Sequence, residues 1–318
     1  MDTKNVIAAI SLSAAVIILY SLFFAPSPNE LKKIDEQKSS MSSEAPKLEE
    51  SEKIVELSRD QALKESNRVE FENQNIKGSI SLMGGTIDDL IFKNYTETLD
   101  GKNKITLLNP KKYSEGYFVE TGWVSSSKNI ELPNSNTNWK VEGNNKLTPG
   151  NPVTLVWNNN QGISFKKKIK IDEKFLFSID QIITNQSEKS YDFYAYGQII
   201  RNKSPEVTNF YILHEGLIGV LNDQLVEKDY DDIEEKEFSQ KAETGWLGIT
   251  DKYWITTLIP EKNKEFRADF NFKNKFRANF IETKPLELES KGTVSSNVRV
   301  IVAAKEVDVI DSYAEKSN

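Results

Sequence analysis

The stretch Phe165–Asp180, FKKKIKIDEKFLFSID, decides the fold. Phe165, Lys167, Ile169 and Ile171 alternate with Lys166, Lys168 and Lys170; after Asp172-Glu173-Lys174, Phe175, Phe177 and Ile179 alternate with Leu176, Ser178 and Asp180. Strand side chains point to opposite faces with a period of two. Each half therefore reads as a strand with one apolar face, and the polar tripeptide as a hairpin loop.

Working outward, the same period recurs. Tyr191, Phe193, Ala195, Gly197 and Ile199 form one run. Phe266, Ala268, Phe270 and Phe272 form another, continued after Lys273-Asn274-Lys275 by Phe276, Ala278 and Phe280. Val294, Val298, Val300 and Val302 extend the pattern towards the end of the chain. Gly84-Gly85 reads as a tight turn between Ile80-Leu82 and Ile87-Leu90. Many strands with one buried face, joined by short polar turns, predict antiparallel sheets packed as a sandwich. Val307, Ile310, Tyr313 and Ala314 stand at helical spacing and predict an amphipathic helix over 306–318.

Of the 32 aromatic residues, 29 lie from Phe71 onward and none between Pro26 and Glu70. The core is therefore expected over 70–305. Residues 26–69 are rich in charges of both signs and in serine, and read as a mobile linker. Within it Leu48, Ile54, Leu57 and Leu63 have the spacing of a helix over Lys47–Lys64. Ahead of the linker, Val6–Phe24 holds 19 residues without a charge. Val6, Ile10, Leu12, Val16, Ile17, Leu19, Phe23 and Phe24 carry its apolar surface. A helix of that length nearly crosses a hydrocarbon layer about 30 Å thick. An uncleaved anchor over 1–25 fits better than a cleaved signal peptide. The small-x-small site is missing, and Phe23-Phe24 and Pro26 stand where cleavage would occur. The short flank before the span fits an N-terminus on the cytoplasmic side. No later segment is long enough to span, because His214-Glu215 interrupts the best apolar stretch.

The chain has 318 residues and a net charge of −7. It carries no basic stripe, so no nucleic-acid partner is expected. It has no cysteine, which excludes disulfides, thiolate metal sites and a lipoprotein anchor. His214 is the single histidine and lacks a neighbouring nucleophile motif. The acidic run Glu227–Glu237 lacks the glycine and spacing of a calcium loop and reads as solvated. Trp246 and Trp254, flanked by strands, read as core anchors. A cleft between sheet faces is a candidate site for an extended peptide, by edge pairing and aromatic contact. No catalytic, metal or cofactor residue is assigned, and no cofactor is expected.

Several segments resemble one family. Asn75–Tyr95, NIKGSISLMGGTIDDLIFKNY, is similar to the first hairpin of the periplasmic domain of YidC-type membrane protein insertases, with Gly84-Gly85 at its turn and Tyr95 at its end. The strand around Gly197, in Tyr196-Gly197-Gln198, resembles a central strand of that family. Ala242–Pro260, AETGWLGITDKYWITTLIP, is the most specific match, through Gly245-Trp246, Tyr253-Trp254 and Pro260. The resemblance implies an anchored protein of the bacterial inner membrane with a periplasmic β-supersandwich of the galactose-mutarotase type. It implies a role in inserting and folding inner-membrane proteins, alone or beside the Sec translocon. The expected partners are the lipid bilayer, nascent inner-membrane proteins and translocon components. The family's later membrane helices have no counterpart before Asn318, so this portion is expected not to insert proteins by itself. The alternative is a tethered carbohydrate-binding or mutarotase-like sandwich. Mutarotases use histidines, and a single His214 argues against it.

Overall fold

A computed structural model describes residues 57–98, 101–205 and 214–306. The segment Val6–Phe24, most of the linker and the helix expected over 306–318 lie outside the described residues, save for Glu306. Helix α1 (Arg59–Leu63) precedes β1 (Arg68–Glu72), β2 (Ile76–Ser81), β3 (Thr86–Thr96), β4 (Lys104–Leu108) and β5 (Tyr117–Ser125). Then come β6 (Lys140–Glu142), β7 (Lys146–Leu147), β8 (Val153–Asn158), β9 (Ile163–Ile171), β10 (Leu176–Asn185) and β11 (Tyr191–Arg201). After the next described residues follow β12 (Gly216–Leu221), β13 (Gln224–Lys228), α2 (Tyr230–Glu235), β14 (Phe238–Ala242), β15 (Gly245–Thr250) and β16 (Trp254–Ile259). The last elements are β17 (Phe266–Phe272), β18 (Phe276–Glu282), β19 (Leu286–Leu288) and β20 (Thr293–Ala304).

Among the described residues these strands form two sheets. The larger, of eleven strands, runs β14-β17-β18-β11-β5-β3-β2-β1-β7, with β4 beside β3 and β19 beside β11. The smaller, of nine, runs β13-β12-β15-β16-β20-β10-β9-β8-β6. Pairing is antiparallel except for the short contact of β1 with β7. The hairpin read from Phe165–Asp180 is β9–β10, with Ile171 opposite Phe177 and Ile163 opposite Asn185. Its apolar residues meet those of the large sheet: the Phe71 and Phe177 rings lie edge to face at 5.1 Å, and Phe165 meets Phe193 at 6.1 Å. Burial of these rings and of Val298, Val300 and Val302 supplies the main drive for closing the sandwich.

Three expectations change. Strands β5 and β11 are buried on both faces over most of their length, so they lack a solvated face: Phe118, Glu120, Tyr196, Gln198 and Ile200 are buried opposite the core-facing residues. Among the described residues, the space between the sheet faces is filled by the aromatic core and shows no cleft. The chain already packs on the domain before Arg68. Leu57 bridges Tyr113, Ser58 and Gln61 form a capping box on α1, and Arg59 bonds the side chains of Asn109 and Asp89. Of the helix expected over Lys47–Lys64, residues 57–64 are described: Leu57 forms a bridge instead, and only Arg59–Leu63 are helical.

Two turns show why glycine is required. Gly84 and Gly85 take φ of 75° and 63°, and a Cβ on Gly85 would lie 3.3 Å from the Lys167 ammonium. Gly245 opens β15 at φ 128°, where a Cβ would fall 1.8 Å from the Val220 carbonyl oxygen. Gly143 has φ 84° but nothing within 4 Å of its would-be Cβ. Gly143→Ala is expected to cost about 1 kcal/mol, the backbone strain alone. Gly245→Ala adds a collision at the β12–β15 pairing and is expected to cost more than about 3 kcal/mol. Urea denaturation of both variants checks this; equal losses would show that the collision is relieved by local movement.

Candidate functional site

The candidate site is the face of the large sheet turned away from the core. Register places Ser239 opposite Asp269, Asp269 opposite Asn279, Asn279 opposite Gln198 and Gln198 opposite Glu120, a polar row across five neighbouring strands. Its members bond along the row. The Ser239 hydroxyl donates to Asp269 at 2.6 Å, the Asn279 amide to Asp269 at 3.2 Å and the Gln198 amide to Glu120 Oε2 at 2.8 Å. Beside it runs a row of Phe118, Ile200, Arg277 and Asn271. On β2 and β3, Ser79, Asp88 and Asp89 continue the polar surface, paired to Arg68 and Arg59. Burial beats these partners at Asp88 and pushes its carboxyl up to about 6.

Glu120 lies above a gap in the sheet. Strands β3 and β5 share one residue pair, Ile87 with Val119, and then separate. Into that gap the small sheet sends Lys167. Its ammonium donates to the Thr121 carbonyl at 2.7 Å and to those of Gly85 and Gly84 at 3.4 and 3.5 Å, and stands 5.0 Å from the centre of the Trp139 ring. Burial lowers the Lys167 ammonium to about 8, against the opposing pull of the Glu120 carboxylate. A small cavity of about 10 Å³, room for about one water, lies here among Gly84, Glu120, Gly122, Ser135, Lys167 and Tyr196.

Further cations gather on the same face. Arg277 projects from β18, Lys275 from the turn before it, and Lys111 from the chain between β4 and β5. The Asn202 amide holds Lys111 in place by donating to its carbonyl at 3.1 Å, and the Lys111 ammonium donates to Ser135 at 3.4 Å. Burial and the like charges of Lys111 and Arg277 lower Lys275 to about 8; burial also lowers Arg277.

The residues singled out from sequence form a different set, at turns and at one end of the sandwich. Gly84-Gly85 makes the β2–β3 turn, and Gly197 faces the core against Phe280. Trp254 stacks on Phe92 at 4.7 Å, with Tyr95 edge-on at 5.2 Å. The Tyr95 hydroxyl donates to Glu306 at 2.6 Å, and burial and that carboxylate raise it to about 12. Tyr253 is 57% exposed, and Pro260 is buried behind β16. Trp246 is not a core anchor: it sits opposite Val220 on the outer side of the small sheet, half-buried. Within this segment Asp251 pairs with Arg201 of the large sheet, and Arg201 lies 4.8 Å over the Tyr117 ring and bonds Tyr230 at 3.2 Å. That network joins the two sheets, and its tyrosine hydroxyls are raised mainly by burial.

The acidic run is not wholly solvated either: it forms α2, whose Tyr230 packs on Phe276 at 4.7 Å. His214 lies beside the small sheet, bonded to Asp229 at 3.2 Å and the Leu217 carbonyl at 3.1 Å, away from Glu120. No group of His or acidic side chains among the described residues is arranged to hold a metal. Sequence reading missed Glu120, Lys275, Arg277 and the role of Lys167. A charged residue in the apolar phase of a strand was the available signal for Lys167.

Two antiparallel sheets of this order, closed over an aromatic core, define a β-supersandwich of the galactose-mutarotase type. The fold is similar to that of a galactose mutarotase related enzyme from Lactobacillus acidophilus, with a TM-score of 0.51, 10% identity, and coverage of 76% of this chain and 99% of that one. The chain belongs to the YidC periplasmic domain family, which it matches over residues 68–317. It is 54% identical over its whole length to the membrane protein insertase YidC of Pelagibacter ubique, covering 57% of that protein. It is 37% identical to the insertase YidC of Mesorhizobium japonicum (82% of this chain, 45% of that one) and 34% to that of Rickettsia canadensis (99% and 58%). The chain thus spans about half the length of these relatives.

Two stability outcomes follow. Asp251→Asn leaves the Arg201 charge buried without its counter-ion and is expected to cost about 3 kcal/mol in urea denaturation; a loss under about 1 kcal/mol would show that solvent reaches the pair. For Lys167 the ammonium is held at about 8 in the fold, against an ordinary 10.5. Between those values the unfolded chain holds a proton that the folded chain has released, so stability rises with pH there. Against a Lys167→Met variant, the wild type is expected to gain about 2–3 kcal/mol between pH 8 and 10. Parallel pH profiles would show Lys167 to be solvated.

Proposed function

We propose that this chain is the N-terminal portion of a membrane protein insertase, which inserts and folds inner-membrane proteins alone or with the Sec translocon. In this reading Val6–Phe24 spans the inner membrane with the N-terminus in the cytoplasm, and residues 26–69 link it to the domain. Residues 70–305 act in the periplasm as a binding and positioning module, and 306–318 lead towards a second span. The observation that carries it is 54% identity, along the entire chain, to a protein named a membrane protein insertase. The polar row on the large sheet, buried at Glu120, Gln198 and Asn279, supports the binding role. Buried hydrogen-bonding groups are kept where they position a partner or specify a structure.

The test is deletion of residues 70–300 from the full-length protein. Crosslinking to translocon components and nascent chains is expected to fall more than insertion of a simple substrate. Equal loss of both would overturn the assignment of the domain to partner binding.

A further inference from the structure

Glu120 is 5% exposed. Gln198 occupies its Oε2, while its Oε1 is buried with no hydrogen-bond partner. The Nε of Arg277 is likewise buried and unpartnered. Among the described residues, no ion pair or side-chain hydrogen bond links Lys275 or Arg277 to an acidic group. Register sets Arg277 opposite Ile200, one step along the same face from the Gln198–Glu120 pair, and the field of Glu120 reaches Lys167, Lys275 and Arg277 alike. Lys275 and Arg277 thus share one carboxylate, on which Lys167 draws from below, and Lys111 reaches Ser135 at the edge of the same small cavity. Buried charges without partners are costly, and a native fold keeps them where a ligand or catalytic role repays the expense.

We propose that Lys111, Lys275 and Arg277, beside Glu120 on the outer face of the large sheet, form a subsite for the carboxylate side chain of an extended acidic peptide. The cations receive the carboxylate, with Arg277 offering its planar donor set. Glu120, held beneath by Gln198, keeps the cations in place beside it. Asn271 and Asn279 continue the row with further amide groups. A phosphate dianion fits less well, because Glu120 stands in the same patch and repels it while finding no donor on it. Short loops of membrane proteins left outside the cytoplasm carry fewer Lys and Arg than those inside it, which leaves Asp and Glu a larger share of their charge. The proposal rests on the reading of this domain as a binding module and names the chemistry that it reads.

The experiment is fluorescence anisotropy with the full chain in detergent micelles at about 0.15 M salt, where exposed charges are screened beyond about 8 Å. The probes are a labelled extended peptide bearing spaced Asp and Glu, and its Asn and Gln counterpart. The acidic peptide is expected to bind at least tenfold more tightly. Arg277→Gln and Lys275→Gln are each expected to remove most of that preference, while Arg277→Lys keeps part of it. Lys112→Gln, at the surface pair with Glu65, leaves it unchanged. Urea denaturation confirms that each variant is folded. Equal affinity for the two peptides, or a preference that survives both Gln variants, overturns the subsite. So does displacement of the peptide by inorganic phosphate at equal concentration, or binding of phosphatidylglycerol vesicles through these residues without peptide binding. An acidic preference carried by Arg277, found together with unchanged crosslinking after the domain deletion, would keep the subsite and withdraw the module reading alone.

Discussion

Lys167 carries its charge from the small sheet into the backbone of the large one, at the place where β3 and β5 part after a single shared pair. The splayed strands leave the carbonyls of Gly84, Gly85 and Thr121 without a ladder partner on that side, and the ammonium supplies the donors. Gly85 takes φ 63°, and a Cβ there would press on both the ammonium and Trp139. Trp139 closes the site from the side. The arrangement keeps a cation where hydrocarbon would otherwise be expected, and its depressed affinity for protons measures that cost. At the other end of the sandwich, Arg201 and Asp251 make a second polar join between sheets, packed on Tyr117 and Tyr230. The aromatic core fills the space between them, and these polar joins tie one sheet to the other.

The outer face of the large sheet is built on that foundation. Glu120 sits over the Lys167 gap, and the polar row through Gln198, Asn279 and Asp269 extends from it across the sheet. The fold is shared with a mutarotase related enzyme, but at 10% identity that likeness speaks of architecture alone. The single histidine is held by Asp229 and a backbone carbonyl in the other sheet, and the outer face offers cations, amides and carboxylates instead. Such a surface suits reversible recognition of a polar chain. The relatives are named insertases, and the matching family is described as the YidC periplasmic domain.

The alternation in Phe165–Asp180 determined a great deal. Apolar residues two apart must share a face, so the β9–β10 hairpin, the runs ending in β18 and β20 and the sandwich class were all legible in the sequence. The family segments were legible too, because glycines with no room for a Cβ and a Trp–Tyr–Phe cluster impose particular residues at particular spacings. The Ser58-x-x-Gln61 start of α1 was written in the sequence, but a five-residue helix has too little period to announce itself. The candidate site was not legible. Glu120, Gln198, Asn279 and Asp269 belong to β5, β11, β18 and β17, and no spacing along one chain reports that four distant strands align in register. Nor does alternation reveal that β5 and β11 are covered on both faces, since Phe118, Tyr196 and Ile200 look like ordinary outward residues until the loops around Lys111 and Ser135 are in place. The sequence by itself determined the elements and their buried faces, through local periodicity and backbone sterics. Tertiary structure alone decided which charges share a low-dielectric surface, because that depends on strand order and on which segments exclude water from it.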